Sequence, residues 1–248
     1  MQTTPLEFYS EPLPGIDCSQ LQQGKLVVIE GPDAVGRSTQ ISRLRSWLEH
    51  EGHAVLTTGM TRSVLAGKGI QQAKEGNTFG ALTMHLFYAT DFADRLENQI
   101  IPALRAGFVV ITDRYIFSLM ARAVARGSDR LWIERVAGFA LVPHVILYLR
   151  ADVQDLVSRV AVGRGVFDYW ESGMDMRFGN DMHDSFIKYQ TRIIRALDKM
   201  AERYDFKMID ASRPPDQIFE QLQREIALLF EPRPKPPVPK RRRPARNG

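Results

Sequence analysis

The stretch "VVIEGPDAVGRSTQ", Val27 to Gln40, constrains this chain more than any other. A β-type run leads into it, and a helical pattern leaves it, with apolar Ile41, Leu44, Trp47 and Leu48 on one face and Gly52 placed as a stop. Gly31-Pro32-Asp33-Ala34-Val35-Gly36-Arg37-Ser38 fits the pattern G-x-x-x-x-G-K-[ST] except at Arg37, where lysine is usual. A strand–turn–helix of this kind aims backbone N–H groups and the positive end of a helix at phosphate oxygens, and the Ser38 hydroxyl can ligate Mg²⁺. Residues Gly31 through Thr39 are therefore the candidate phosphate cradle. The plainer alternative is a glycine-containing strand-to-helix turn with no ligand. Lysine is a compact charge that can follow a moving phosphoryl group, whereas arginine is always charged and prefers a planar, two-pronged grip. Arg37 can still hold phosphates, so nucleotide binding is easier to defend than full catalytic speed.

Strand-like runs recur at "KLVVIE" (25–30), "AVLTT" (54–58), "FVVIT" (108–112), "HVILYL" (144–149) and "FKMID" (206–210). The runs at 108–112 and 144–149 are apolar enough to be buried on both faces, as parallel strands are. Helical patterns lie over 81–105, where Pro102 bends or ends the helix, near 183–203, and over 215–230. The alternation predicts an α/β fold, a doubly wound parallel five-stranded sheet flanked by helices, over residues 25–230. Residues 1–24 have no clear period and carry Pro5, Pro12, Pro14 and Gly15, which predicts a loose leader. After Phe230, "EPRPKPPVPKRRRPARNG" has little to bury, which predicts a disordered, basic tail over 231–248.

The net charge of +4 belongs to that tail, which carries basic residues from Arg233 to Arg246 and no acid between them. The rest is mildly acidic. The "KRRR" cluster (240–243) suits either contact with nucleic acid or plain solubility. No apolar run is long enough for a membrane span, the first residues lack the character of a signal peptide, and Cys18 is the only cysteine. A cytoplasmic protein is expected. The histidines show no metal-ligand spacing, so no zinc site is expected.

Three further stretches accompany the phosphate cradle: "FYATDFADRLENQIIPALRAG" (87–107), "TDRYIFS" (112–118) and "MIDASRP" (208–214). In this order, from about Lys25 to Leu229, they resemble thymidylate kinases. The resemblance implies a P-loop nucleoside-monophosphate kinase with a small lid. Its implied reaction passes a phosphoryl group from ATP to a nucleoside monophosphate, dTMP to dTDP first among the candidates, with Mg²⁺. It also implies a homodimer, as the family commonly forms. Carried over residue by residue, Asp33 meets the acceptor, Asp113 serves the metal region with Ser38, and Arg114 grips the acceptor phosphate. Tyr88 or Phe87 is placed to stack on a base. "RVAVGRGVFDYWE" (159–171) looks like the lid, spanning about 159–173, with Arg164, Gly165, Asp168 and Glu171 fitting its pattern. The family carries a catalytic arginine in the loop or in the lid. Ala34 excludes the loop version, leaving Arg164 and Arg159. Arg37, Asp113 and Arg164 are the candidate catalytic residues.

The departures lie where the family reads the base. The arginine of the long helix stands as Phe92 or Asp91, and the residues after "DRY" become Phe117, Ser118, Leu119 and Ala123. The arginine that the family places after its second strand has only Arg62 as a counterpart. These changes, with Arg37, motivate a second reading: a nucleotide-binding but catalytically impaired relative acting as a regulator or partner subunit.

Overall fold

The computed structural model describes residues 6–10, 12–76 and 79–231. Five strands form one parallel sheet: β1 (Lys25–Glu30), β2 (Val55–Gly59), β3 (Val109–Asp113), β4 (Val145–Arg150) and β5 (Lys207–Asp210). The spatial order is β2-β3-β1-β4-β5, with Val27 opposite both Ile111 and Val145. Period-two alternation divides β1 between two cores. Leu26 and Val28 pack toward the long-helix side, and Val27 and Ile29 pack toward the opposite face. Burial on both faces is why these strands read as unbroken apolar runs. From central β1 the chain reaches β2 on one side, while β4 lies on the other. The C-terminal end of β1 is therefore the switch point, where an open α/β sheet leaves a crevice.

Helices α1 (Arg37–His50) and α9 (Pro215–Ala227) cover one face through Leu44, Leu48, Leu222 and Ile226. The other carries α3 (Ala81–Arg95), α5 (Ile116–Ala125) and α8 (Met182–Arg203). The pattern over 81–105 is realised as α3, a π-helical turn at Leu96–Ile100, and α4 (Ile101–Arg105). Pro102 does not end it, because it sits in the first turn of α4, where its missing N–H is tolerated. Four helices were not expected: α2 (Gly67–Gly76), α5, α6 (Arg130–Val136) and α7 (Val153–Gly163). Most of α5 is buried, and only Ser118 and Arg122 interrupt its apolar run, too little to betray its period.

The loose-leader reading does not hold for the described part of residues 1–24. Leu6 and Leu21 are buried, Phe8 forms a β-bridge with Leu141, and Tyr9 packs edge-on against Phe117 and Tyr204. Prolines hid the period, but the apolar side chains between them still cover the core. The expected tail lies outside the described residues from 232 onward, as does its "KRRR" cluster. No helix among the described residues is long and apolar enough to cross a membrane.

One buried carboxylate joins the sheet to the helix behind the site. Glu30, at the end of β1, accepts from the Tyr115 N–H at 2.8 Å, the Ser118 N–H at 3.2 Å and the Ser118 hydroxyl. Burial pushes its pKa up, against the pull of these donors and of Arg114. It caps α5 from across the chain, since Tyr115, at the N-cap position, makes no side-chain cap bond. Glu30→Ala should leave those amides without acceptors and lower stability by about 2–3 kcal/mol. Glu30→Gln, which keeps an acceptor oxygen, should cost less; denaturant midpoints of the two variants check the order.

His85 of α3 supplies a pH dependence. It is buried with Nδ1 3.1 Å from Ser128 Oγ, and burial, helped by Arg126, pushes its pKa from 6.5 down to about 4. The unfolded chain binds this proton below its pKa of 6.5, while the native state refuses it until about 4. Stability is therefore lost as pH falls through that window, by about 2 kcal/mol between pH 7 and 5. In urea unfolding the natural protein should lose about 2 kcal/mol more stability between pH 7 and 5 than His85→Gln does.

Candidate active site

The cradle follows from the switch point. Gly31 leaves β1 where a Cβ would lie 2.8 Å from the Leu149 carbonyl oxygen, so the close approach of β4 requires glycine. Gly36 then takes the left-handed conformation (φ 97°) as the N-cap of α1, turning the first N–H groups of the helix toward the loop. Ala34 (φ 63°) and Arg114 (φ 71°) are left-handed without being glycine, a strain that gathers at sites where geometry matters more than stability.

Arg37 is folded back onto the loop. Its Nε donates to Asp113 Oδ1 at 2.7 Å, and its Nη1 donates to the carbonyls of Gly31, at 2.8 Å, and Pro32. The pair is largely shielded, with the two side chains 10% and 14% exposed. Burial alone would raise the pKa of Asp113, but Arg37 and Arg114 outweigh it and hold the carboxyl below its usual range. Arg62 Nη2 lies 4.0 Å from the second oxygen, Oδ2. Asp91 places Arg62 from below, its carboxylate accepting from the backbone N–H groups of Thr61 and Ser63, both at 3.0 Å.

Asp33 is the most heavily paired carboxylate. Arg114 Nη2 donates to Oδ1, Arg122 Nη2 lies 2.9 Å from both oxygens, and Gln190 Nε2 donates to Oδ2 at 2.8 Å. The Asp33 N–H donates in turn to Gln190 Oε1 at 3.1 Å. Burial opposes its charge, but the surrounding arginines overcome this and keep Asp33 well below the carboxylate range. Burial and the neighbouring Arg37 push Arg114 down to about 10, so it stays charged at neutral pH.

These groups line one cavity of about 700 Å³ at the end of β1. It brings together Asp33, Ala34, Val35, Gly36, Arg37, Ser38 and Thr39 of the loop with Asp113, Arg114, Tyr88 and Arg164. Gly31 and Pro32 lie buried beneath, contributing carbonyls rather than wall. Of the two aromatic candidates, Tyr88 lines the cavity and Phe87 packs on Phe79 instead. Of the two lid arginines, Arg164 pairs with Glu171 at 2.9 Å. Arg159 is in the helix α7 and donates to the carbonyls of Val35 and Ala211, joining the cradle to the loop after β5. Phe92 is buried, and Asp91 is committed to Arg95 as well as to the loop beside it.

Arg122, Gln190 and Lys74 escaped the sequence reading. Ser118 and Arg122 stand four residues apart on one face of α5, a spacing that points to Arg122 once that helix is known. Gln190 lies 157 residues from Asp33, and no local pattern announces it. Lys74 Nζ sits 5.7 Å from the centre of the Tyr88 ring, and Trp170 Nε1 donates to the Lys74 carbonyl at 3.0 Å, fastening the lid to α2. Among the described residues no group of three or more His, Cys, Asp or Glu side chains could hold a metal by itself.

A family model described as thymidylate kinase matches residues 29–222. A protein named probable thymidylate kinase 2 from Saccharolobus solfataricus is 36% identical over 193 residues, covering 77% of this chain and 90% of the relative. A probable thymidylate kinase from Thermococcus gammatolerans is 31% identical over 218 residues, covering 84% and 96%. That of Thermococcus kodakarensis is 30% identical over 213 residues, covering 82% and 96%. The loop at the switch point, the adjacent Asp113 and Arg114 and the arginines at 159 and 164 lie within the matched span, and the chain belongs to the thymidylate kinase family.

Proposed function

We propose that this protein transfers the γ-phosphoryl group of ATP to a nucleoside monophosphate, with dTMP as the first candidate acceptor. The observation that carries this reading is the single cavity in which cradle, Asp113, Arg114, Asp33 and the lid meet. In-line phosphoryl transfer needs positioning and charge neutralisation more than covalent chemistry. The cradle residues 31–39 hold the ATP phosphates, and Arg37 supplies the cation that lysine supplies elsewhere. Asp33, Arg114 and Tyr88 receive the acceptor, and Arg164 brings positive charge to the group in transit. Mg²⁺ arriving with ATP would be held by Ser38 and Asp113 and would offset charge on the phosphate oxygens. A homodimer accompanies the reading through the family resemblance, and a cytoplasmic location through the lone Cys18 and the character of the first residues. The deciding experiment offers Mg²⁺-ATP and a panel of nucleoside monophosphates to the purified protein and follows ADP release and product identity. Phosphorylation of dTMP supports the reading; ATP binding without any phosphorylated product supports the impaired relative.

Asp113→Ala should lower turnover by roughly 10²–10³, the usual loss for one electrostatic contact at a reaction centre, while ATP still binds. Near-normal turnover would remove Asp113 from the site.

The Arg37 series separates the two readings. Arg37→Ala should weaken ATP binding and abolish measurable transfer. Arg37→Lys should give equal or lower turnover than the natural protein, because the pocket offers three acceptors, Asp113 and the carbonyls of Gly31 and Pro32, to a fork-shaped cation. Substantially faster turnover with lysine would instead favour the impaired relative. Titration calorimetry with ATP and a coupled ADP assay measure both effects.

A further inference from the structure

Arg122 stands out among the cavity's cations because part of its hydrogen-bonding capacity is unused. Its Nη2 lies across both oxygens of Asp33, yet its Nε is buried and has no hydrogen-bond partner. The side chain is 13% exposed and lines the cavity. A buried, charged N–H with no acceptor is unfavourable unless something else supplies the acceptor. The Nε edge of a guanidinium belongs to a planar fork whose spacing matches two oxygens of a phosphate.

Arg122 also stands where an acceptor phosphate would arrive. It shares the Asp33 carboxylate with Arg114 and projects from α5, the helix that begins two residues after Arg114. Asp33 does not depend on Arg122 for its position, since Gln190 holds it through both its backbone N–H and its carboxylate. Glu30 likewise holds the start of α5 independently of Arg122. We propose that Arg122 is a second acceptor-phosphate residue, closing on the phosphate dianion of a nucleoside monophosphate together with Arg114. Asp33 occupies both arginines in the structure. A phosphate with more charge and more acceptor oxygens competes for them, and Arg122 brings its unpartnered Nε edge to it. The role is binding and orientation, with no bond made or broken at Arg122. It would compensate for lost base contacts by tightening the grip on the part of the acceptor that every monophosphate shares.

This inference rests on the acceptor reading above, and its test separates the two. The affinities of dTMP and thymidine, which differ only in the phosphate, are measured by titration calorimetry for the natural protein, Arg122→Gln and Arg122→Lys. The ratio of the two dissociation constants isolates the phosphate. In Arg122→Gln the advantage of dTMP over thymidine should fall roughly 10- to 100-fold, the worth of one hydrogen-bonded charge. Arg122→Lys keeps a cation beside Asp33 but loses the fork, and its ratio should fall less. An unchanged ratio in Arg122→Gln, or equal weakening of thymidine and dTMP, overturns the inference and leaves Arg122 as a partner of Asp33 alone. Should Arg122→Gln fail to fold, Arg122→Lys decides, and an unchanged ratio there overturns it equally. A natural protein that binds no monophosphate sinks the acceptor reading and this inference with it. One that binds dTMP while the variants bind it just as well overturns only the inference.

Discussion

The site depends on matching buried carboxylates to buried guanidiniums at the end of β1. Glu30, Asp33 and Asp113 sit on or beside two central strands, where water is largely excluded. Left alone, each would shed its charge or destabilise the fold. Arg37 answers Asp113, Arg114 and Arg122 answer Asp33, and the N-terminus of α5 answers Glu30. Breaking such a buried pair by removing one member typically costs about 3–5 kcal/mol, since the survivor remains charged and dry. The cluster is thus an expensive way to stabilise a sheet. It is a sensible way to keep cations ready for anionic ligands, because phosphate can replace carboxylate without exposing the arginine to water.

The arginine at position 37 fits this arrangement better than the motif suggests. A lysine is a single point of charge. Arg37 uses Nε and Nη1 in different directions, reaching Asp113 and the loop's own carbonyls together. It therefore ties the cradle to β3 as well as carrying charge. The same geometry couples the two groups: any movement of Arg37 off Asp113 frees Oδ1 of that carboxylate, and Arg37 held in place keeps it occupied.

Much of the fold was legible because parallel strands buried on both faces must be apolar throughout. Each of the five runs became a strand, shifted by at most one residue at either end. The turn from β1 into α1 was legible because its glycines answer steric demands, as Gly31 does against Leu149. What escaped did so for physical reasons. Helix α5 is buried almost all round and only Ser118 and Arg122 break its apolar run, so it was not read as a helix and with it Arg122 went unseen. The segment at 6–24 packs through scattered side chains such as Leu6 and Tyr9, without a repeating face. Gln190 reaches Asp33 only through tertiary folding of α8, a contact that no spacing in the chain encodes.

The two arginines assigned to the moving phosphoryl group differ in how firmly they are held, and the difference suits their places. Arg37 and Asp113 are shielded, and Arg37 has two carbonyl partners besides, so displacing it is costly. Arg164 is 46% exposed and its partner Glu171 26%, an environment in which an ion pair contributes at most about 1 kcal/mol. Release of Arg164 therefore costs little. Glu171 itself stays anchored, because its carbonyl accepts from Gln190 at 2.7 Å and its N–H donates to Asp168 at 2.9 Å. Gln190 thus touches Asp33 on one side and the lid on the other. Any change in how Asp33 is held reaches the backbone of Glu171, the partner of Arg164, through one side chain, which links Asp33 to the segment around Glu171 without a change in the sheet.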